Sequence, residues 1–289
     1  MIRANRLDSE RFLRRKSFIE LRARERALAL LDHGTFRELL GPFDRLESPW
    51  LSEQGVVPQT DDGLVVARGT LAGKDSAVLA IEGQFQGGSI GEVSGAKMAA
   101  TLDLAHADAE RGRPVQVVLL LETGGVRLQE ANLGLEAIAE INSSLLALRK
   151  YVPVVGVISG MVGCFGGMSI TAGLCSYLIM TRAGRLGLNG PEVIEEQSGV
   201  EEFDSKDRQL IWAVNGGEQR YAAGFVDDLV EDDVELIRQR VIEAFGRGLP
   251  SRHRSEQVEG YLKRLAAIDV TDQLESGEVR RLWSKGEYS

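Results

Sequence analysis

Residues 115–150 read VQVVLLLETGGVRLQEANLGLEAIAEINSSLLALRK. An almost wholly apolar run enters the Gly124-Gly125 turn, and a helical pattern follows. A strand apolar on both faces is one covered on both sides. In the segment after the turn, Ile138, Ile141, Leu145 and Leu148 follow the three-four-three spacing of a core-facing helical stripe. About forty residues on, the pattern recurs: VPVVGVISG (152–160) runs into MVGCFGGMSITAGLCS (161–176). Strand, glycine turn and helix start are thus repeated.

Working outward, LVVARGTL (64–71) and SAVLAIEG (76–83) read as a hairpin joined by AGKDS. The Gly-rich start of QFQGGSIGEVSGAKMAATLDLAHADAERGRP precedes a helix that stops near Gly112 and Pro114. YLIMTR (177–182) is a further strand, Pro191 is set to start a helix, AAGFVDDLV holds a short late strand, and Val234 to Gly246 a helix. Phe18, Leu21 and Leu28 predict a helix across 9–33 that stops at Asp32-His33-Gly34. Pro42, Pro49 and Pro58 make 41–62 a connector. A hairpin followed by strand–helix alternation indicates an α/β protein with a parallel component. The expected division is a basic, helical N-terminal extension (1–50), a main domain (51–250) and a polar C-terminal tail (251–289).

With 289 residues, 43% apolar and 27% charged, the chain can bury a sizeable core. A net charge of −9 argues against general nucleic-acid binding. The charge is uneven: residues 1–26 hold nine Arg and Lys against four acids, about +5, leaving about −14 for the remainder. That strip is either a solvated helix or subunit contact, or a docking strip for an acidic partner. Cys164 and Cys175 read as reduced core thiols, too few for a four-cysteine zinc site. There is no apolar leader and no run of 18 apolar residues, so a soluble, cytoplasmic chain without a membrane partner is expected.

No His-Glu-x-x-His motif, nucleophile elbow, Walker lysine or post-strand GxGxxG occurs. His33, His106 and His253 lie far from the glycine turns in sequence, and His33 and His106 read as structural. The glycines remain: Gly124 and Gly125 after one strand, and Gly163, Gly166 and Gly167 after the next. Backbone N–H groups at such turns and at a helix start can hold a developing oxyanion. The alternative is that they are only tight connections.

These segments resemble the carboxyltransferase branch of the crotonase-like superfamily. ETGGVRLQE (122–130), GMVGCFGGMS (160–169), GLNGPEVIE (187–195), RERALALLDHGTFREL (24–39) and GGSIGEVSGAKMA (87–99) keep that branch's order. The resemblance implies a crotonase-like (ClpP/crotonase) spiral of β-β-α units in a single carboxyltransferase-type domain. The chain departs from the acetyl-CoA carboxylase type in lacking its zinc ribbon, and from fused propionyl-type enzymes in having room for only one half. GPEVIEEQSGVEEFDSKDRQLIW, GGEQRYAAG and RHRSEQVEGYLKR are similar to the biotin-independent malonate decarboxylases.

That similarity implies a malonyl thioester carried on the phosphoribosyl-dephospho-CoA arm of a small acyl-carrier (delta) subunit. It implies no metal, no biotin and no covalently bound cofactor. Partners would be a homologous gamma subunit sharing the site, the carrier, and an acyl-transferase (alpha) subunit. Gly166 and Gly167 are expected as the main oxyanion donors, with Gly124 and Gly125 as the facing wall or a second donor. Gly163, Arg127 and Gln129 are assigned to the wall that holds the substrate or its arm, with a structural anchor preferred to catalysis for Arg127 and Gln129. The proton donor to the enolate is not identifiable from sequence. Three rivals remain: a biotin-dependent carboxyltransferase subunit, a non-catalytic scaffold, and a hydratase or isomerase of free acyl-CoA.

Overall fold

The computed structural model describes residues 15–266, 268–269 and 276–284. In chain order the elements are α1 (Ala23–Leu30), β1 (Arg37–Leu39), α2 (Pro49–Glu53), β2 (Leu64–Leu71), β3 (Lys74–Ile81), α3 (Glu92–Glu110), β4 (Gln116–Leu120) and α4 (Asn132–Leu148). They continue with β5 (Val154–Ile158), α5 (Gly167–Leu174), β6 (Tyr177–Thr181), α6 (Pro191–Ser198), α7 (Arg208–Asn215), α8 (Gly217–Ala222), β7 (Asp228–Val230), α9 (Val234–Gly246), α10 (Val258–Ala266) and α11 (Ser276–Ser284).

Among the described residues seven strands form one sheet, ordered β1-β2-β3-β4-β5-β6-β7. The first three are antiparallel, and β3 to β7 run parallel. Strand alternation sends Val117, Leu119, Val154 and Ile158 to one core with α3, α4 and α5. Val118, Leu120, Val155 and Val157 go to a second core with α1 and α9. Both faces are therefore covered, which is why β4 carries no polar alternation.

Past the strand ends the chain builds a second, smaller ladder. Parallel bridges join Ile90 to Val126, Thr123 to Cys164, and Cys164 to Leu186. Each pass of the chain contributes a long strand, a short bridge and a helix. This is the expected crotonase-like spiral of β-β-α units in one mixed α/β domain.

Several elements differ from expectation. Of 9–33, residues 9–14 lie outside the described residues, and the helix spans only Ala23–Leu30. Upstream of it, the backbone groups a helix would pair internally are used elsewhere. The N–H groups of Phe18 and Ile19 donate to the Asp232 carboxylate at 2.8 and 3.0 Å, and their carbonyls accept from the Arg26 guanidinium. Phe18 is buried as expected, but Leu28 is exposed and Arg26 is inside. The hairpin turn is shorter than AGKDS. Leu71 pairs with Lys74, and Ala72 and Gly73 both have positive φ, the geometry that matches strand twist in a two-residue turn. Asp32 accepts from both turn N–H groups. The connector holds α2, and the polar stretches after Gly199 and Pro250 hold α7, α8, α10 and α11, which lack a long apolar stripe. Tyr261 of α10 stacks on Phe225 at 5.1 Å, so the C-terminal region docks against the loop before β7. Among the described residues no helix is long and apolar enough to cross a membrane.

Leu119 is fully buried in the middle of β4. Leu119→Ala is expected to lower the unfolding free energy by about 2–5 kcal/mol, read as a shift of the urea midpoint at unchanged slope.

Candidate active site

The two glycine turns meet. A Cβ on Gly125 would lie 3.0 Å from the Gly166 Cα, and one on Gly166 would lie 3.2 Å from the Gly125 Cα. Both residues have positive φ, +109° and +59°. Neither the space nor the backbone suits a side chain. Gly124 is exposed, while Gly166 and Gly167 are half-buried, so this contact stands at a surface a ligand can reach.

The N–H groups decide what the site can do. Gly124 donates to the Gly87 carbonyl at 2.9 Å, and Gly125 to the Thr123 hydroxyl at 3.0 Å. Gly163 donates to Glu122 at 3.4 Å. Gly166, expected as a main donor, is already bonded to the Leu188 carbonyl at 2.8 Å. Gly167 opens α5, and its N–H has no acceptor among the described residues. Val126, not anticipated from sequence, is the second open amide. Its bridge to Ile90 uses the Gly125 carbonyl and the Arg127 N–H, so its own N–H points to the other side. Its nitrogen lies 3.9 Å from where a Gly166 Cβ would stand. An open helix-start amide and an open ladder amide therefore adjoin one half-buried spot.

Arg127 does not reach that spot. Its side chain is 0% exposed, and its Nη1 pairs with Asp62 at 2.6 Å and Glu130 at 3.0 Å. Nη2 donates to the Ser89 carbonyl at 2.9 Å, and the guanidinium lies over the Phe85 ring. Asp62 also accepts from the Ser94 N–H, and Glu130 from the Glu92 N–H, both in the first turn of α3. Two carboxylates at a helix N-terminus suit its dipole. Burial pushes the Asp62 carboxyl up, and Arg127 pulls it back. The geometry is that of an anchor clamping the GGVRLQE loop to α3, the role preferred for Arg127 from the sequence, and it leaves that side chain no free donor to offer a substrate arm. Gln129 is exposed, and its carbonyl accepts from Gln54 of the turn after α2.

Glu122 is the second residue the motif reading did not single out. It is 1% exposed, and the loop after β5 wraps it. One oxygen accepts from the Ser159 N–H (3.1 Å), the Ser159 hydroxyl (2.6 Å) and the Gly160 N–H (2.7 Å), and the other from the Val162 N–H (2.8 Å). The buried Arg26 of α1 stands 3.5 Å away. An acid directly after the apolar run Val117–Leu121 was the signal, since a buried charge requires partners.

Cys164 and Cys175 are free and fully buried. Burial pushes the Cys164 thiol well up and Cys175 to about 12, the surroundings of structural core thiols. Among the described residues no group of three or more His, Cys, Asp or Glu could hold a metal ion.

Residues 20–260 match the carboxyl transferase domain family. The chain is 58% identical to a chain of a Pseudomonas malonate decarboxylase hetero-tetramer solved in complex with malonate, covering 95% of this chain and 99% of that one, with a TM-score of 0.92. It is 53% identical to a chain of the Pseudomonas malonate decarboxylase MdcD-MdcE hetero-dimer, over 87% and 97% of the two chains, with a TM-score of 0.74. It is 41% identical over 274 residues to the malonyl-S-ACP:biotin-protein carboxyltransferase MADC of Malonomonas rubra, covering 91% of this chain and 84% of that relative.

Arg127→Met would strand two buried carboxylates, at a cost of about 3–5 kcal/mol. Thermal melts are expected to show it, and Arg127→Lys is expected to recover only part, because an ammonium cannot reproduce the fork.

Proposed function

The chain belongs to the carboxyl transferase domain family, and from that premise we propose that it is the beta subunit of a malonate decarboxylase. It acts on a malonyl thioester held on the phosphoribosyl-dephospho-CoA arm of an acyl-carrier subunit. The bond between the α-carbon and the carboxylate breaks, carbon dioxide leaves, and the electron pair passes into the thioester enolate. Protonation at the α-carbon then gives the acetyl thioester. No proton has to be removed, so the site needs no strong base. The barrier lies in charge building on the thioester oxygen, and preorganised amides oppose it directly.

The observation that carries this reading is the pair of open amides, Gly167 and Val126, beside the contact of the two glycine turns. In it Gly167 and Val126 hold the oxygen, and Gly124, Gly125 and Gly166 shape the wall. Because this chain forms one face, a homologous gamma subunit supplies the other, and an acyl-transferase alpha subunit returns malonate to the carrier. The 58% identity over nearly the whole of a malonate decarboxylase chain supports this choice.

A second reading has its own support. The Malonomonas rubra relative is named for transfer from malonyl-S-ACP to a biotin protein. Carbon–carbon cleavage and the enolate are common to both reactions; they differ in where the carboxyl group goes. The complex of this chain with its partner subunits is expected to release carbon dioxide from malonyl-carrier in the presence of avidin. Release that avidin blocks would move the assignment to a biotin carboxyltransferase.

Gly167→Pro tests the amide itself. Proline is accommodated at the first position of a helix but has no N–H. The variant is expected to lose about 10²–10³ in kcat. Gly167→Ala, which keeps the N–H and presses on the Cδ1 and Cγ2 atoms of Ile138 at 2.9 and 3.1 Å as proline also would, is the control.

A further inference from the structure

The loop from Ser159 to Gly163 leads into the amide that the proposed chemistry uses; its carbonyls are held by the Thr181 hydroxyl at Ser159 and by the Arg185 guanidinium at Met161 and Val162, while its N–H groups converge on one side chain. Gly160 and Gly163 both have positive φ, +127° and +94°. Successive N–H groups in such a loop turn inward and form a concave donor site. In many proteins an external anion fills such a hollow. Here a side chain of the same chain fills it. Glu122 accepts from the N–H groups of Ser159, Gly160 and Val162 and from the Ser159 hydroxyl, with a longer contact to the Gly163 N–H.

The next residue completes the tie. The Thr123 N–H donates to the Gly163 carbonyl at 2.7 Å, its carbonyl accepts from Phe165 at 3.0 Å, and its hydroxyl accepts from Gly125. Glu122 and Thr123 together join both glycine turns into one body. Behind Glu122 stands Arg26, whose other nitrogens are held by the Phe18 and Ile19 carbonyls. The carboxylate is thus fixed from two sides, and both it and Arg26 are buried.

We propose that Glu122, oriented by Arg26, is a positioning residue that sets the Gly167 amide by acting as a built-in anion for the 159–163 loop. The inference rests on the malonyl-thioester reading for its rate consequence, but the loop geometry stands apart from it. Glutamine at 122 has the same shape and the wrong pattern. Its amide NH2 would face backbone N–H groups, donor against donor, and the loop would open. A displacement of about 1 Å at a reacting group typically costs about 100-fold in rate.

The test uses the assembled complex with wild type, Glu122→Gln, Glu122→Asp, and the double variant Arg26→Met/Glu122→Gln. Three quantities are read: kcat and KM on malonyl-carrier, the melting temperature, and amide hydrogen exchange over 159–167. Glu122→Gln is expected to lower kcat about 100-fold, with KM held within about twofold and exchange over 159–167 faster by about tenfold or more. Glu122→Asp should restore part of both. The double variant removes the stranded arginine charge but also the donors to the Phe18 and Ile19 carbonyls, so kcat should stay low whatever melting temperature it regains. If kcat returns together with melting temperature, or if exchange over 159–167 does not change in Glu122→Gln, the positioning role is overturned. A wild-type complex that releases no carbon dioxide would instead strike the malonyl-thioester reading, and exchange would still decide the role of Glu122.

Discussion

Gly125 and Gly166 touch backbone to backbone, and the geometry at this end of the sheet follows from that contact. Parallel strands alone would leave the loops after β4 and β5 apart, free to vary in length and direction. Here each loop makes a second short ladder with its neighbour, and each rung uses up backbone donors in a fixed order. Gly124, Gly125, Gly163 and Gly166 all lose their N–H groups to that framework. Gly167 and Val126 are left open because one begins a helix and the other lies on the outer side of a parallel bridge. Rigidity and vacancy therefore have one origin. A site made from backbone is held where it is because nearly every neighbouring amide is already engaged.

Two buried charge clusters hold that framework to the rest of the fold. Arg127 with Asp62 and Glu130 clamps the first loop to the start of α3. Glu122 with Arg26 clamps the second to α1. Neither cluster is strong evidence of net stabilisation, because removing charges from water costs about as much as their attraction returns. What they supply is direction. Each carboxylate takes several N–H groups at fixed angles, which an apolar filler of equal volume could not do. Both clusters are buried and reach the Gly125–Gly166 contact only through the backbone they hold.

Much of this was legible in the sequence. The two apolar strands and the Ile138–Leu148 stripe are periodic, and periodicity survives without tertiary information. Gly124, Gly125, Gly166 and Gly167 stood out because two glycine turns follow two buried strands, a pattern that spacing alone leaves open between an oxyanion site and tight connections. Which amide remains free was not legible. That depends on the Leu188 carbonyl and on the register of Ile90 against Val126, long-range facts no local pattern encodes. An anchoring role for Arg127 was legible from its motif, but its partners were not: only the fold brings Asp62 against it from 65 residues away. Residues 15–22 misled for a similar reason: Phe18, Leu21 and Leu28 have helical spacing, but Asp232 takes the backbone donors that a helix would need.

The most direct measurement is a crystal structure of the assembled complex with a malonyl-thioester analogue whose carboxyl group cannot leave. The account predicts the thioester oxygen at hydrogen-bond distance, about 3 Å, from the amide nitrogens of both Gly167 and Val126. An oxygen bound by the partner subunit alone, or by a side chain away from the contact of Gly125 and Gly166, would contradict it.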